Sequence, residues 1–440
     1  MQAATLLVAA GRLQSSSVAG SGAHLSLSAE SSLANRRGSI STLAKVASSL
    51  FLMTWAGVAV AQPVAEPAPT YTSGAASRCV GNQIRCPGSE IGIPQGDYNL
   101  SLRSRADREL PNPYNRDETW LQMPRGSGAL GATSAIDIDV DGKSVWIARR
   151  CEVNGCFDSN VDPVMLFDEN GEFVRSFGGG MLVYPHGLWV DREGNIWVAD
   201  TQSNLTPRRG VTPPADTIAK GNQILKFSPQ GELLMTLGTP GVYGQDNSHF
   251  NQPSDVVTAA NGDIFVADGH ELENMQPRIV VFNSSGQYLR EWPLCVDDGA
   301  FKSDCSHSLA MDSQGRLFVG DRGNGRVVIY DQQGNKLDEW EQFGRPAGLY
   351  IDANDILYSA DSTSHVSTGN AYVRGVHVGS ARTGAVTAFL PDVLGNPAPW
   401  APLMGTTGSE GVVADAQGNI YTSQVMPFGQ VARYSLKPEL

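Results

Sequence analysis

Beyond residue 130 the chain alternates apolar and polar residues with a period of two, and Asp, Asn and Gly cut the alternation at short intervals. Ile136-Asp137-Ile138-Asp139 is followed by Ser144-Val145-Trp146-Ile147-Ala148, and Asp255-Val256-Val257 by Asp263-Ile264-Phe265-Val266-Ala267. Gly348-Leu349-Tyr350-Ile351 and Ile356-Leu357-Tyr358-Ser359-Ala360 repeat the pattern, as do Gly411–Ala414 and Asn419–Ser423. Such runs read as half-buried strands joined by tight turns. Gly142, Gly194, Gly262, Gly315 and Gly418 stand where those turns need positive φ. A second pair of strands follows in each unit. Arg278–Phe282, the turn Asn283–Gly286 and Gln287–Trp292 recur closely as Arg326–Tyr330, Asp331–Gly334 and Lys336–Trp340. Helical periodicity is nearly absent.

Six units can be counted from their first positions: Ser134, His186, Ser254, His307, Ala347 and Glu410. Four antiparallel strands in each of six units predict an all-β chain, a six-bladed β-propeller. Residues 111–437 resemble the NHL-repeat family, whose blades are four-stranded. The units are unevenly spaced, so the excess is inserted loop, as at 201–221 and 362–372. Glu118–Met123 is expected to supply the outer strand of the last blade and close the ring. The propeller domain is assigned to 111–440.

Residues 1–61 have another purpose. Arg36, Arg37 and Lys45 precede the apolar run Leu50–Val60, and Ala59-Val60-Ala61 is a small-x-small cleavage site. This pattern reads as a secretory signal with cleavage after Ala61. The apolar run is too short to span a bilayer. The long, Ser-rich leader also fits an organelle transit peptide or a misassigned start, and Arg36-Arg37 hints at a twin-arginine signal. Residues 62–110 read as a linker and N-terminal extension. The expected location is exported, periplasmic or secreted, with no stable membrane insertion once the signal is gone. All six cysteines lie beyond the cleavage site, so they are expected to form disulfides between neighbours: 79–86, 151–156 and 295–305. The chain carries 32 basic and 45 acidic residues, with no basic patch. That balance excludes nucleic acid and anionic membranes as partners. Nothing in the surface pattern fixes an oligomeric state.

The first strand of a blade lines the central channel, so the first positions gather on one face. His186, His307 and Glu410 fall on alternate blades, about 120° apart in a six-fold ring. Two imidazoles and a carboxylate with an open fourth position make a zinc-type ligand set. The ends of the second strands form another ring: Arg149, Asp200, Asp268, Asp321, Asp361 and Gln424. Its Asp residues suit hydrogen bonds to neighbouring turns. Arg149 breaks that rule, and Arg322 and His270 follow the ring directly. Two arginines beside a metal suit a carboxylate-bearing substrate, although either could pair with the Asp ring instead. His270 suits proton transfer.

Five stretches sharpen the resemblance: Tyr184–Leu188 (Tyr-Pro-His-Gly-Leu), His249–Asp255 (His-Phe-Asn-Gln-Pro-Ser-Asp), Val266–Gly269, Ser306–Leu309 and Asp321–Arg326. Together they resemble the peptidyl-α-hydroxyglycine α-amidating lyases over roughly 125–437. The family cleaves the N–Cα bond of a C-terminal α-hydroxyglycine, giving a peptide amide and glyoxylate. The resemblance implies zinc ligation by His186 and His307, with Glu410 at the third histidine position. It implies substrate binding by Arg149 (or Arg150, one residue on) and Arg322, and places His270 where the family has a tyrosine base. It also implies a structural calcium on the backbone carbonyl of Leu188, although Gly411 stands where the family has an Asp. The function expected is thus an exported zinc-dependent carbon–nitrogen lyase acting on a small carboxylate-bearing molecule or a peptide C-terminus. A non-catalytic propeller binding a peptide, glycan or protein on its loop face is the alternative. A calcium-dependent lactonase-like propeller is a third reading.

Overall fold

The computed structural model describes residues 107, 109–207, 212–270, 276–296, 304–364, 373–392, 408–425 and 430–438. The leader, the linker to residue 106, the 79–86 cysteine pair and parts of both inserted loops lie outside the described residues.

Six four-stranded antiparallel sheets form the blades of a propeller, with nearly no helix among the described residues. The innermost strands are β2 (Thr133–Ile138), β6 (Pro185–Val190), β10 (Pro253–Thr258), β14 (Ser308–Met311), β18 (Gly348–Ile351) and β22 (Ser409–Ala414). Each pairs with a fully or almost fully buried second strand: β3 (Val145–Arg149), β7 (Ile196–Asp200), β11 (Ile264–Asp268), β15 (Leu317–Asp321), β19 (Ile356–Asp361) and β23 (Ile420–Gln424). The turn glycines behave as the sequence requires, with φ of 71° at Gly142 and 82° at Gly194. Blade five departs from the pattern. Asp355 adopts φ 59° there, and its carboxylate takes Ser313 N at 2.9 Å, Ser313 Oγ at 2.7 Å and Arg382 Nε at 2.8 Å.

The period of two decides where each side chain goes. Trp146 and Ala148 face blade two, against Val198 and Phe227, while Val145 and Ile147 face blade six, against Val413 and Tyr421. Trp197 and Ala199 then face blade three, with Val256 and Val280. Three further clusters fill the remaining gaps between blades. The core is therefore a ring of six apolar wedges.

The strand that closes the ring is β1 (Tyr114–Asp117), paired with β24 (Val431–Leu436), and not Glu118–Met123. The chain turns inward just after β1. Trp120 is 3 % exposed, packs on Tyr421 at 4.8 Å between ring centroids, and donates Nε1–H to the Glu169 carbonyl. The apolar residue that looked like strand is a plug between blades six and one. Trp120→Ala is expected to cost about 3–5 kcal/mol in urea denaturation. A loss below about 1 kcal/mol would show that closure does not depend on the plug.

Candidate metal centre

The inner strands build the site, and bulges aim it. Register slips fall between Thr133 and Ala135, Pro185 and Leu188, Pro253 and Asp255, and Ser409 and Gly411. Ser134, His186, Ser254 and Glu410 sit in these bulges, where the extra residue re-aims the side chain. His307 and Ala347 immediately precede β14 and β18. A side chain at Gly187 would strike the Ser254 carbonyl and Asp255, so glycine lets the neighbouring blade approach His186.

Each of these two imidazoles is held by the next inner strand. His186 Nδ1 lies 2.9 Å from the Ser254 carbonyl and His307 Nδ1 lies 2.6 Å from the Ala347 carbonyl. A carbonyl only accepts, so each Nδ1 donates its hydrogen and each Nε2 keeps a lone pair. His270 joins them from the loop after β11, where Gly269 turns the chain at φ 112°. The His270 backbone N–H donates to the Gln252 carbonyl at 3.2 Å. Ring centroids are 4.4 Å apart for His186–His270 and 4.8 Å apart for the other two pairs. One nitrogen from each ring lies within 4.8 Å of the others, and all three residues are buried. Burial holds all three pKa values well below the ordinary 6.5, and neighbouring Arg322 and Arg150 reinforce the shift at His186 and His270. The imidazoles are neutral, with the donor chemistry a zinc ion accepts.

Glu410 stands beside this group and outside it. Its Oε1 is 3.5 Å from His307 Nε2 and 3.5 Å from Arg322 Nη1, and its Oε2 accepts from Ser362 Oγ at 2.7 Å. Arg322 also reaches Asp304 Oδ2 through Nη2 at 3.1 Å. The two candidate arginines of blade one part company. Arg149 points into its own blade, donating to the Asp162 and Ala129 carbonyls at 3.0 and 2.9 Å. Arg150 faces the centre, donating Nε–H to the Pro185 carbonyl at 3.0 Å and Nη1–H to Tyr184 Oη at 2.8 Å and Asn154 Oδ1 at 2.9 Å. Its guanidinium lies 3.8 Å from the Tyr184 ring centroid. Leu188 is buried on β6 and lines the narrow axial channel with Ser134, Asp255 and Gly411. A Cβ at Gly411 would stand 2.6 Å from Ser423 Oγ, so β22 leaves no room for a carboxylate beside Leu188.

The Asp ring does the structural work expected of it. Asp200 accepts from the Val183 and Tyr184 N–H groups, Asp268 from Asn251 N, and Asp361 from Arg345 N, each tying down the loop that enters its own blade. Disulfides join Cys151 to Cys156 and Cys295 to Cys305, with Cα separations of 5.3 and 6.2 Å. Cys295, Cys305 and Asp321 also cluster, but the two sulfurs are bonded to each other, so no thiolate is offered. Sequence reasoning had not placed Asp304 or Ser362 at the site. Ser362 was within reach of it, directly after the ring residue Asp361. Asp304 carried no signal beyond its place before Cys305.

No protein-family model matches the chain. It is 29 % identical over 298 residues to peptidyl-glycine alpha-amidating monooxygenase B of Xenopus laevis, covering 60 % of this chain and 31 % of that protein. It is 27 % identical over 252 residues to human NHL repeat-containing protein 3, covering 56 % and 63 %. A probable peptidyl-alpha-hydroxyglycine alpha-amidating lyase of Caenorhabditis elegans is 25 % identical over 251 residues, covering 53 % and 65 %. The chain spans less than two thirds of each of these relatives. Amidating lyases and NHL-repeat proteins are thus its homologues, and the resemblance carried by the motifs holds.

Three buried neutral imidazoles leave a thermodynamic mark on metal-free protein. Their folded pKa values lie below the ordinary 6.5, so below that pH the unfolded chain binds more protons. Their contribution is complete above the unfolded value and is lost as the pH falls toward the folded values. Urea unfolding of metal-stripped protein should weaken from about pH 7 to about pH 5, and His270→Gln should flatten that slope. Parallel slopes would mean that His270 is not buried as a neutral ring.

Proposed function

We propose that this chain is a zinc-dependent carbon–nitrogen lyase of the amidating-lyase kind, acting on a small carboxylate-bearing or α-hydroxyglycine-like substrate. The convergence of three buried imidazoles, two of them fixed as Nδ1–H tautomers by backbone carbonyls, carries this reading. His186, His270 and His307 would hold the ion. Zinc there would polarise a substrate oxygen as a Lewis acid. Arg150 and Arg322 supply cations on either side of the centre, suited to a substrate carboxylate. Arg149 is left to hold its own blade. The Glu410 carboxylate, held by Ser362, would take the proton of the substrate hydroxyl as its C–O bond becomes C=O and the C–N bond breaks, and would pass that proton to the departing amide nitrogen. Calcium has no part in this reading, because Gly411 brings no carboxylate side chain to the Leu188 carbonyl. The two disulfides, and relatives that process peptides by name, support an exported enzyme whose substrate is a small molecule or a peptide C-terminus.

A second reading, a propeller that binds a partner on its loop face without catalysis, needs only the fold, and one relative is named for its NHL repeats alone. Metal analysis separates the two. Purified protein should carry about one zinc per chain, which His186→Ala/His307→Ala and His270→Ala each lose. Glu410→Gln should keep the metal and lose turnover of an N-acyl-α-hydroxyglycine. Metal lost from Glu410→Gln but kept by His270→Ala would make Glu410 the third ligand. A folded, metal-free wild type would favour the binding propeller.

A further inference from the structure

Arg322 is held from outside the centre as well as from within. Nη1 faces Glu410 and Nη2 meets Asp304, which lies on a different loop. Asp304 does three things at once. Its carboxylate takes Arg322, its N–H donates to the His270 carbonyl at 3.0 Å, and its own carbonyl accepts from Gly323 N at 3.2 Å. One residue therefore ties the segment that delivers His270 to the segment that delivers Arg322. It does so at φ 62°, a conformation non-glycine residues seldom adopt. The next residue is Cys305, bonded to Cys295, which itself has φ 51°. Two left-handed residues at one cross-link indicate that the backbone at Cys295 and Asp304 is held by its surroundings.

We propose that Asp304 is a positioning residue that aims the Arg322 guanidinium into the centre, and that the Cys295–Cys305 disulfide sets Asp304 in place. This rests on the lyase reading for its consequence, a substrate carboxylate bound by Arg322, but its geometry stands without turnover. Asp304 touches no reacting atom. It acts through Arg322, holding Nη2 while Nη1 faces Glu410.

Asp304→Gly deletes the carboxylate and keeps the left-handed backbone at no steric cost. Asp304→Asn keeps both the backbone preference and a hydrogen-bond acceptor. With an N-acyl-α-hydroxyglycine as substrate, Asp304→Gly should raise KM about tenfold to a hundredfold, the worth of a charged hydrogen bond. Zinc content and kcat should stay close to wild type, and Asp304→Asn should recover much of the KM. Cys295→Ser/Cys305→Ser should reproduce the KM rise with zinc retained. Unchanged KM in Asp304→Gly, or parallel loss of zinc and kcat, would overturn the proposal. Wild-type KM in the double serine variant would remove the disulfide from it. A crystal structure of Asp304→Gly decides the matter even if wild type does not turn over this substrate. Arg322 should have left its place 3.5 Å from Glu410 Oε1. An unmoved Arg322 would refute the positioning role, whereas an inactive wild type with a displaced Arg322 would refute only the lyase reading.

Discussion

Every blade buries both faces of its sheet, and that constraint governs the molecule. A sheet covered on one side can end in solvent; here each apolar wedge needs a neighbour on both sides, and six wedges close only as a ring. The ring in turn fixes the inner strands at short range. The Ser254 and Ala347 carbonyls come within hydrogen-bond reach of His186 and His307 because blades pack closely, and Gly187 is the concession that allows it. The polar centre is a product of apolar packing.

Around the centre, charge is arranged asymmetrically. His186, His270 and His307 come from blades two, three and four, and Glu410 comes from blade six, across the axis. Arg150 and Arg322 depress the imidazole pKa values, reinforcing the larger effect of burial. The Asp ring, in contrast, is engaged within its blades: Asp200 and Asp361 accept from backbone N–H groups, and Asp268 and Asp321 also pair with Arg278 and Arg326.

The propeller was legible in the sequence because alternation and turn glycines are local signals that recur. Two of the three expected disulfides, 151–156 and 295–305, were legible because their cysteines are close neighbours in sequence. The closing strand was misplaced by four residues because Trp120 and Leu121 carry a strand-like pattern, while Tyr114–Asp117 reads as polar and Pro-flanked. His186 and His307 showed through their shared repeat position. The company they keep did not show. Bulges at four first positions turn side chains in ways no periodicity records, and His270 arrives through a glycine turn outside the repeat. Arg149 and Arg150 could not be separated by pattern alone: adjacent residues at a strand end point opposite ways, and only the strand's last pairing says which is which.

The carbonyls that lock His186 and His307 belong to other blades, three and five. Each imidazole therefore works as a caliper, its direction set by the gap between its own blade and the next. A breathing motion of the ring would be read at the axis as rotation of an imidazole, and an ion held by these two and His270 would act as a rivet through blades two, three and four. The last closure of that ring is made by Tyr114–Asp117, from the opposite end of the domain to its partner strand. The aim of the imidazoles at the axis is thus tied, through six interfaces, to a four-residue strand at the rim.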